Sequence, residues 1–402
     1  MSLIVQKYGG SSLSTPENIN YVARKIVEYK RKGNKLVVVV SAMGKTTDNL
    51  IEMAKKVHRC PPEEEMDILL STGEMVSVAM LCMAIENLGE KAEGFPGYFA
   101  GIKTDNSHTK ALIQTIEPSR ILKQLEEDSI VVIAGFQGIS PENTITTLGR
   151  GGSDLTAVAI TAAIKADICE IYTDVDGIYT ADPHLLPNAK LIPQLSYEEL
   201  LEMASAGAKV MFPRAVEFAK KYNVPFVVKS TFAEQGEGTM VKEILLKEGA
   251  DVSAVVLDEK QAKITIFKVP DRPGVSSTIF NAIGNANINV DIIVQNVSTA
   301  RYADISFTVP IADAEKAYNI IKEVGNQLKA EKVQCDTDIA KLTTIGVGMM
   351  THPGVAGRMF RALAQADINI EMISTSETKI SCVIKKADGQ KGLQAVHKEF
   401  IT

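Results

Sequence analysis

Thr147-Leu148-Gly149-Arg150-Gly151-Gly152-Ser153-Asp154 stands just before one apolar run, Leu155 to Ala166, and shortly before another, Ile168 to Tyr172. The first run reads as a helix opened by the glycine-rich loop, and the second, short and β-branched, as a strand buried on both faces. Glycines leave backbone N–H groups free to turn toward phosphate or carboxylate oxygens, and the positive end of the helix dipole adds to the attraction. Arg150 supplies a planar fork that suits a carboxylate. The strand runs on into Thr173-Asp174-Val175-Asp176-Gly177, so two polar loops lie at the carboxyl ends of neighbouring strands, where open α/β sheets keep their ligands. Taken alone, Gly-Arg-Gly-Gly fits a tight turn equally well.

The same alternation extends from Leu3 to about Lys242, with strands expected at Leu36–Val40, Ile130–Ala134 and Phe226–Val228. Thr15-Pro16 reads as a cap with proline at the first helical position, Ile19, Val22, Ile26 and Val27 form one apolar face, and Gly33 ends that helix. The expected fold is α/β, with a three-layer αβα domain over residues 1–245 built on a mainly parallel sheet.

Beyond Gly236-Glu237-Gly238 an internal repeat replaces this pattern. Aligning Pro273-Gly274-Val275 with Pro353-Gly354-Val355, a spacing of 80, brings Phe280 onto Phe360, Ala286 onto Ala366, Ile288-Asn289 onto Ile368-Asn369 and Ile293 onto Ile373. Each copy reads as a small βαββαβ module. The first closes with the strand Lys332–Cys335, whereas the second lacks its last strand, and the unassigned segment Val252–Leu257 precedes the first copy. The expectation is therefore an insertion: one module at 262–338 and the other assembled from 250–258 plus 342–402.

With 402 residues and a net charge of −6 the chain has material for several cores, and it carries no basic block that would serve nucleic acid. No segment approaches about eighteen uncharged apolar residues, so no membrane partner is expected. Met1–Val5 reads as a first strand rather than a leader, and five scattered cysteines without C-x-x-C spacing read as reduced thiols, which points to the cytoplasm.

Several further residues bear on chemistry. Lys7, in Gln6-Lys7-Tyr8-Gly9-Gly10, stands where a strand-end ammonium and a glycine backbone can meet phosphates, although a solvated turn lysine fits the same pattern. Ser41-Ala42-Met43-Gly44-Lys45-Thr46-Thr47-Asp48 contains Gly-Lys-Thr but is no P-loop, because the required first glycine is Val39, so the loop is read as hydroxyl contacts to substrate. Glu74 precedes the run Met75–Ala84 and is expected near a helix start, where it offsets the dipole or binds a substrate ammonium. His108 and His184 make no catalytic spacing. The stretch Asp176 to Pro183 suits ribose, base or Mg²⁺-bound phosphates, with an Asx-turn cluster as the alternative, and Lys209 is placed to meet the same nucleotide.

Lys7 to Ser12, Ser41 to Asp48, Gly73-Glu74, Gly135 to Gly138, Thr147 to Asp154, Thr173 to Gly177 and Ala208 to Arg214 occur in this order, and the series resembles the aspartokinases of the amino-acid kinase superfamily, whose paired ACT domains the duplicated module also resembles. The resemblance covers essentially the whole chain. It implies transfer of a phosphoryl group from ATP, with Mg²⁺, to the side-chain carboxylate of L-aspartate, the first step toward lysine, threonine and methionine. It places Lys7 and Asp154 at the reacting centre; Ser41, Thr47, Glu74, Arg150, Gly151, Gly152 and Ser153 on aspartate; and Lys7, Tyr8, Gly9, Gly10, Thr173, Asp174, Tyr179, Asp182, Lys209 and Val210 on ATP. It also implies feedback by lysine, threonine or both. The candidate effector contacts are Asp271, Arg272, Pro273, Gly274, Val275, Ser276, Asn289, Val290, Asp291, Gln295, Asn369, Ile370, Ser376 and Glu377, in a homo-oligomer joined through its ACT domains. A carboxylate acceptor with a pKa of about 4 needs no general base. An acetylglutamate-kinase-like enzyme and a non-catalytic amino-acid sensor are the other readings. Met240 stands near the boundary at which some relatives start a separate regulatory chain.

Overall fold

The computed structural model describes residues 2–208, 210–233, 236–244, 251–297, 301–347, 349 and 354–401, so Lys209 lies outside the described residues. The chain forms two compact units. One comprises Met1–Ile178, Leu191–Ala204 and Lys209–Leu246, and the other Tyr179–Lys190, Ser205–Ala208 and Lys247–Thr402.

Up to Val241 the elements run β1 (Leu3–Tyr8), α1 (Pro16–Arg31), β2 (Lys35–Val40), α2 (Thr46–Val57), α3 (Glu63–Glu86), β3 (Ala92–Phe95), β4 (Ile102–Thr104), β5 (Ile113–Ile116), α4 (Ser119–Glu126), β6 (Ile130–Ala134), β7 (Gln137–Ile139), β8 (Ile145–Thr147), α5 (Gly152–Ile164), β9 (Ile168–Thr173), β10 (Gln194–Leu195), α6 (Tyr197–Ala206), α7 (Pro213–Tyr222), β11 (Phe226–Ser230) and β12 (Thr239–Val241). Eight of these strands form one sheet in the order β10-β12-β11-β9-β1-β2-β6-β3, parallel at every step except β11–β12. Strands β5-β4-β7-β8 form a small second sheet.

The period of two along each strand sorts side chains between the two faces. Ile4, Tyr8, Leu36, Val38, Val40, Val132 and Ala134 enter one core with Ile19, Val22 and Ile26 of α1 and Val78, Leu81 and Ile85 of α3. Each Val, Leu and Ile side chain among them contributes about 1.5–3 kcal/mol when fully buried. Helix α5 packs on β1, β2 and β9 from the other face, against α7. Lys7, one residue from Tyr8, therefore faces α5.

Helix α1 begins as its sequence predicts: Thr15 accepts the Asn18 N–H and Pro16 occupies the first turn. Helix α3 does not. Ser71 to Glu74 are in its middle, because the helix starts at Glu63 behind Pro62, and three acidic residues in its first turn offset the dipole in Glu74's place. An 18-residue window within its 24 residues reaches a mean hydropathy of 1.9, although Asp67 and Glu74 interrupt the apolar run. Here its buried face packs on α1 and the sheet.

The second unit contains the duplication: β13 (Asp251–Asp258), β14 (Gln261–Pro270), α8 (Val275–Asn285), β15 (Ile293–Val297), β16 (Tyr302–Pro310), α9 (Ala314–Gln327), β17 (Lys332–Asp336), β18 (Ile339–Val347), α10 (Val355–Gln365), β19 (Met372–Thr375), β20 (Lys379–Lys385) and α11 (Gly389–Phe400). Its sheets are β15-β16-β14-β17 and β13-β18-β20-β19. Strand β13 pairs antiparallel with β18, so the first module is inserted into the second. Gly274 and Gly354, at φ +95° and +106°, cap α8 and α10 in equivalent turns.

The two modules meet through Ile292, Ile339, Met372 and Val383 and through the ion pairs Lys341–Asp291 and Lys263–Glu371. Ala181 and Leu186, from the segment Tyr179–Lys190, belong to the core of the second module. There Thr180 shares a 2.8 Å hydrogen bond with His397 Nε2, and its carbonyl accepts the Val255 N–H at 2.8 Å.

Candidate active site

Strand β1 delivers Lys7 to the α5 face, where its ammonium meets Asp154 Oδ1 at 2.6 Å in the first turn of α5. A carboxylate at that position is favoured by the helix dipole and holds the lysine at the strand end. Gly9 follows at once: its N–H donates to the Tyr172 carbonyl, and a side chain there would stand 3.6 Å from Lys7 Nζ. At Gly10 a Cβ would come within 2.7 Å of the Ala42 carbonyl, so only glycine lets the first loop lie on the Ser41–Gly44 loop. Gly44 N–H seals that contact on Gly10 O at 2.9 Å.

Tyr8 corrects an expectation. Its side chain is fully buried and stacked on Tyr172 with ring centroids 4.7 Å apart, and its hydroxyl donates to Gln6. Its carbonyl accepts from Ser41 N–H, so Tyr8 offers a nucleotide no side chain. Strand alternation is the cause: if Lys7 faces α5, Tyr8 must face the α1 core.

Glu74 is 3 % exposed in the middle of α3. Its Oε1 accepts the Ala42 N–H at 3.1 Å, while among the described residues no group bonds to Oε2. Burial raises its carboxyl from the ordinary 4.5 to about 7, against the pull of its backbone hydrogen bonds. A desolvated carboxylate with one oxygen unpartnered among the described residues has the chemistry to accept a cation, and in the middle of a helix it does not serve dipole compensation.

The loop Thr147–Asp154 turns through Gly149 and Gly151, at φ +77° and +68°. A side chain on Gly151 would meet Phe212 at 2.3 Å and one on Gly152 would meet Phe136 at 2.8 Å. Arg150 is exposed at the apex, while Gly152 and Ser153 are buried at the helix start, with Ser153 against Gly135. Arg214 anchors the loop from α7, donating to Leu148 O at 2.7 Å and Ala111 O at 2.9 Å. Ser41 and Thr47 flank the Ala42–Gly44 turn, half-buried.

Thr173 donates to the exposed Asp174 at 3.0 Å at the end of β9. In the second unit, Asp182 accepts the His184 N–H at 2.9 Å, which is the Asx turn weighed as the alternative, and Tyr179 is half-buried. Val210 is half-buried beside the undescribed Lys209. A cavity of about 400 Å³ lined by Tyr21, Lys25, Tyr172 and Lys229 opens on the α1 side, across the sheet from Lys7 and Asp154.

Among the candidate effector contacts, Asp271, Arg272, Pro273, Gly274, Asn289, Asn369 and Glu377 are exposed. Ser276 donates to Gln295 at 3.1 Å, and Ser376 N–H bonds the Lys379 carbonyl. Val275 is corrected, since it is a buried member of the first module's core, with Val290 packed against it; Ile370 does the same in the second module. Asp291 is engaged by Lys341.

Two features escaped the sequence. His108 is partnered: Nδ1 meets Asp67 Oδ2 at 2.8 Å, and Asp67 is fully buried on α3. A lone acid within the apolar stretch Met66–Leu70, one heptad before Glu74, was the available signal.

Comparison with known proteins gives a consistent picture. Residues 2–230 match the amino acid kinase family, and residues 263–326 and 342–400 each match an ACT domain. An aspartokinase of Mycolicibacterium smegmatis is 46% identical over 406 residues, covering 100% of this chain and 96% of its own. The crystal structure of an aspartate kinase from Synechocystis is 41% identical with a TM-score of 0.57, covering 99% of this chain and 69% of its own. Aspartokinase III of E. coli, in complex with aspartate and ADP, shares the fold at 23% identity and a TM-score of 0.83, with both chains fully covered.

Proposed function

The chain belongs to the amino acid kinase family, and within it to the aspartokinases, and from that premise we propose how its residues phosphorylate the side-chain carboxylate of L-aspartate with ATP. Lys7 and the Gly9-Gly10 backbone hold the transferring phosphoryl group, and Asp154 fixes the lysine. Arg150 and Ser153, with Ser41, Thr47 and the Gly151-Gly152 backbone, grip the carboxylates of aspartate, and Glu74 takes its ammonium. Thr173 and Asp174 bind the nucleotide, a role that continues along the chain to Tyr179, Asp182, Lys209 and Val210.

The acceptor is already ionised at neutral pH, so no residue need remove a proton. An aspartate side-chain oxygen forms a bond to the γ-phosphorus while the bond from that phosphorus to the bridging oxygen breaks, its electron pair leaving on ADP. The obstacle is the approach of two anions, and the Lys7 ammonium, Arg150 and glycine N–H groups reduce it by position and charge. Mg²⁺, bound with ATP, would supply further neutralisation of the phosphates.

The ACT modules bind end-product amino acids at the exposed loops Asp271–Gly274 and Asn369 to Glu377. Ile293 and Ile373, 52% and 44% exposed, occupy edge strands of the two modules at the repeat spacing, which supports pairing of ACT sheets between subunits. The five unpaired cysteines fit a reducing compartment, the cytoplasm.

The observation that carries the acceptor assignment is Glu74. A buried, half-partnered carboxylate rewards a free α-ammonium and rejects an N-acetylated amino acid, whose amide nitrogen carries no positive charge to pair with it. Hydroxylamine trapping of the acyl phosphate, with ATP and either aspartate, N-acetylglutamate or no acceptor, tests this. Hydroxamate is expected with aspartate alone, and product from N-acetylglutamate but not from aspartate would overturn the proposal.

A further inference from the structure

We propose that Asp67 is a positioning residue of the acceptor site, holding the loop that presents Arg150 to aspartate. The proposal rests on the assignment of Arg150 to the substrate. Asp67 is fully buried, and every described partner of its carboxylate lies on the two segments that flank that loop. Oδ2 meets His108 Nδ1 at 2.8 Å, both oxygens accept the Thr109 N–H at 3.0 Å, and Oδ1 accepts the Thr147 hydroxyl at 2.5 Å. Thr147 O in turn accepts the Ala111 N–H at 2.9 Å. Gly149 sits so close to this segment that a Cβ on it would lie 3.1 Å from the Thr109 carbonyl.

The turn carrying Arg150 is thus held from two sides. Arg214 grips the carbonyls of Leu148 and Ala111, and Asp67 grips Thr147 and the segment beneath Gly149. A buried carboxylate is costly to retain, and here it serves no ion pair of the transfer centre. Its place on α3 shows its use. Asp67 and Glu74 stand seven residues apart, roughly two turns, on one face of the helix. Glu74 bonds Ala42 of the Ser41–Gly44 loop, and Asp67 bonds the flanks of the Arg150 loop. One rigid helix therefore sets the distance between the ammonium receptor and the arginine fork, which must match the length of a single amino acid. A misplacement of about 1 Å in such a site costs on the order of a hundredfold in rate.

Asp67→Asn tests this, because the amide keeps one acceptor oxygen where the carboxylate has two, must turn a donor toward His108, and loses the charge that strengthens all three bonds. Steady-state kinetics should show KM for aspartate raised about tenfold or more, with KM for ATP within about twofold. In an Arg150→Ala background the same substitution should add less than about twofold to KM for aspartate, since the group it positions is gone. If Asp67→Asn does not fold, His108→Ala carries the test: it should raise KM for aspartate selectively, and His108→Asn, whose amide nitrogen replaces Nδ1, should restore it. Equal changes in both KM values, no change, or a full additive effect in the Arg150→Ala background overturns the positioning role. If Arg150→Ala alone leaves KM for aspartate unaltered, the substrate assignment of Arg150 fails first and this role falls with it; if Arg150→Ala raises it and neither Asp67→Asn nor His108→Ala does, only the positioning role fails.

Discussion

Replacing Glu74 by glutamine should raise the stability of the unliganded enzyme relative to the wild type as pH rises, while removing its hold on aspartate. Burial lifts the Glu74 carboxyl from 4.5 to about 7. A raised acid favours the folded state when protonated, so its contribution is full below about pH 4.5, falls as pH rises, and is gone above about pH 7. At about 1.36 kcal/mol per pKa unit, the loss is about 3 kcal/mol. Glutamine can still accept from Ala42 N–H but does not titrate. Whatever fixed offset it introduces, the stability of Glu74→Gln minus that of the wild type should climb by about 1.4 kcal/mol per pH unit between about pH 5 and 7 and then level off. Urea unfolding of both proteins at half-unit pH steps, without ligand, measures it. Saturating aspartate at pH 8 should stabilise the wild type, whose carboxylate gains an ammonium partner, and leave the variant nearly unmoved. A difference that stays flat from pH 5 to 8 would refute the claim that this carboxylate is desolvated and half-partnered.

Other outcomes follow from the same geometry. In the wild type, kcat/KM for aspartate should fall about tenfold per pH unit below about 7, and initial rates from pH 6 to 8.5 should lose that dependence in Glu74→Gln; a flat wild-type profile removes Glu74 from the ammonium site. Lys7→Met should lower kcat by about 10²–10³ with KM for aspartate little changed, read by the hydroxamate assay, because the ammonium acts on charge that develops in transfer. Gly151→Ala combines φ +68° with a Cβ 2.3 Å from Phe212, so it should raise KM for aspartate at least about tenfold while circular dichroism of the fold persists.

The sequence carried the architecture well because its signals were local and consistent. The β-branched runs, the Thr15-Pro16 cap and the repeat at Pro273-Gly274 and Pro353-Gly354 each specify one element, and the missing strand of the second copy led to β13. What escaped depends on which side chains meet across long separations. Glu74 looked like a helix-start residue because it precedes the apolar run Met75–Ala84, whereas the helix begins behind Pro62 and carries glycine at Gly73 because a Cβ there would strike Ala42 at 2.8 Å. Tyr8 and Lys7 are neighbours in sequence but lie on opposite faces of β1, a fact the motif conceals and the strand period reveals. Asp67 and His108 stand 41 residues apart, and only the fold joins them.

The central claim divides the site between Arg150 with Glu74 on the amino acid and Lys7 with Gly9 and Gly10 on the phosphates. Its most direct test is the pair of KM values of Arg150→Ala. Losing a charge-assisted contact of about 1.5–3 kcal/mol should raise KM for aspartate by roughly ten- to a hundredfold and leave KM for ATP within about twofold. A rise in KM for ATP with KM for aspartate unchanged would contradict the account and return the Thr147–Asp154 loop to the nucleotide.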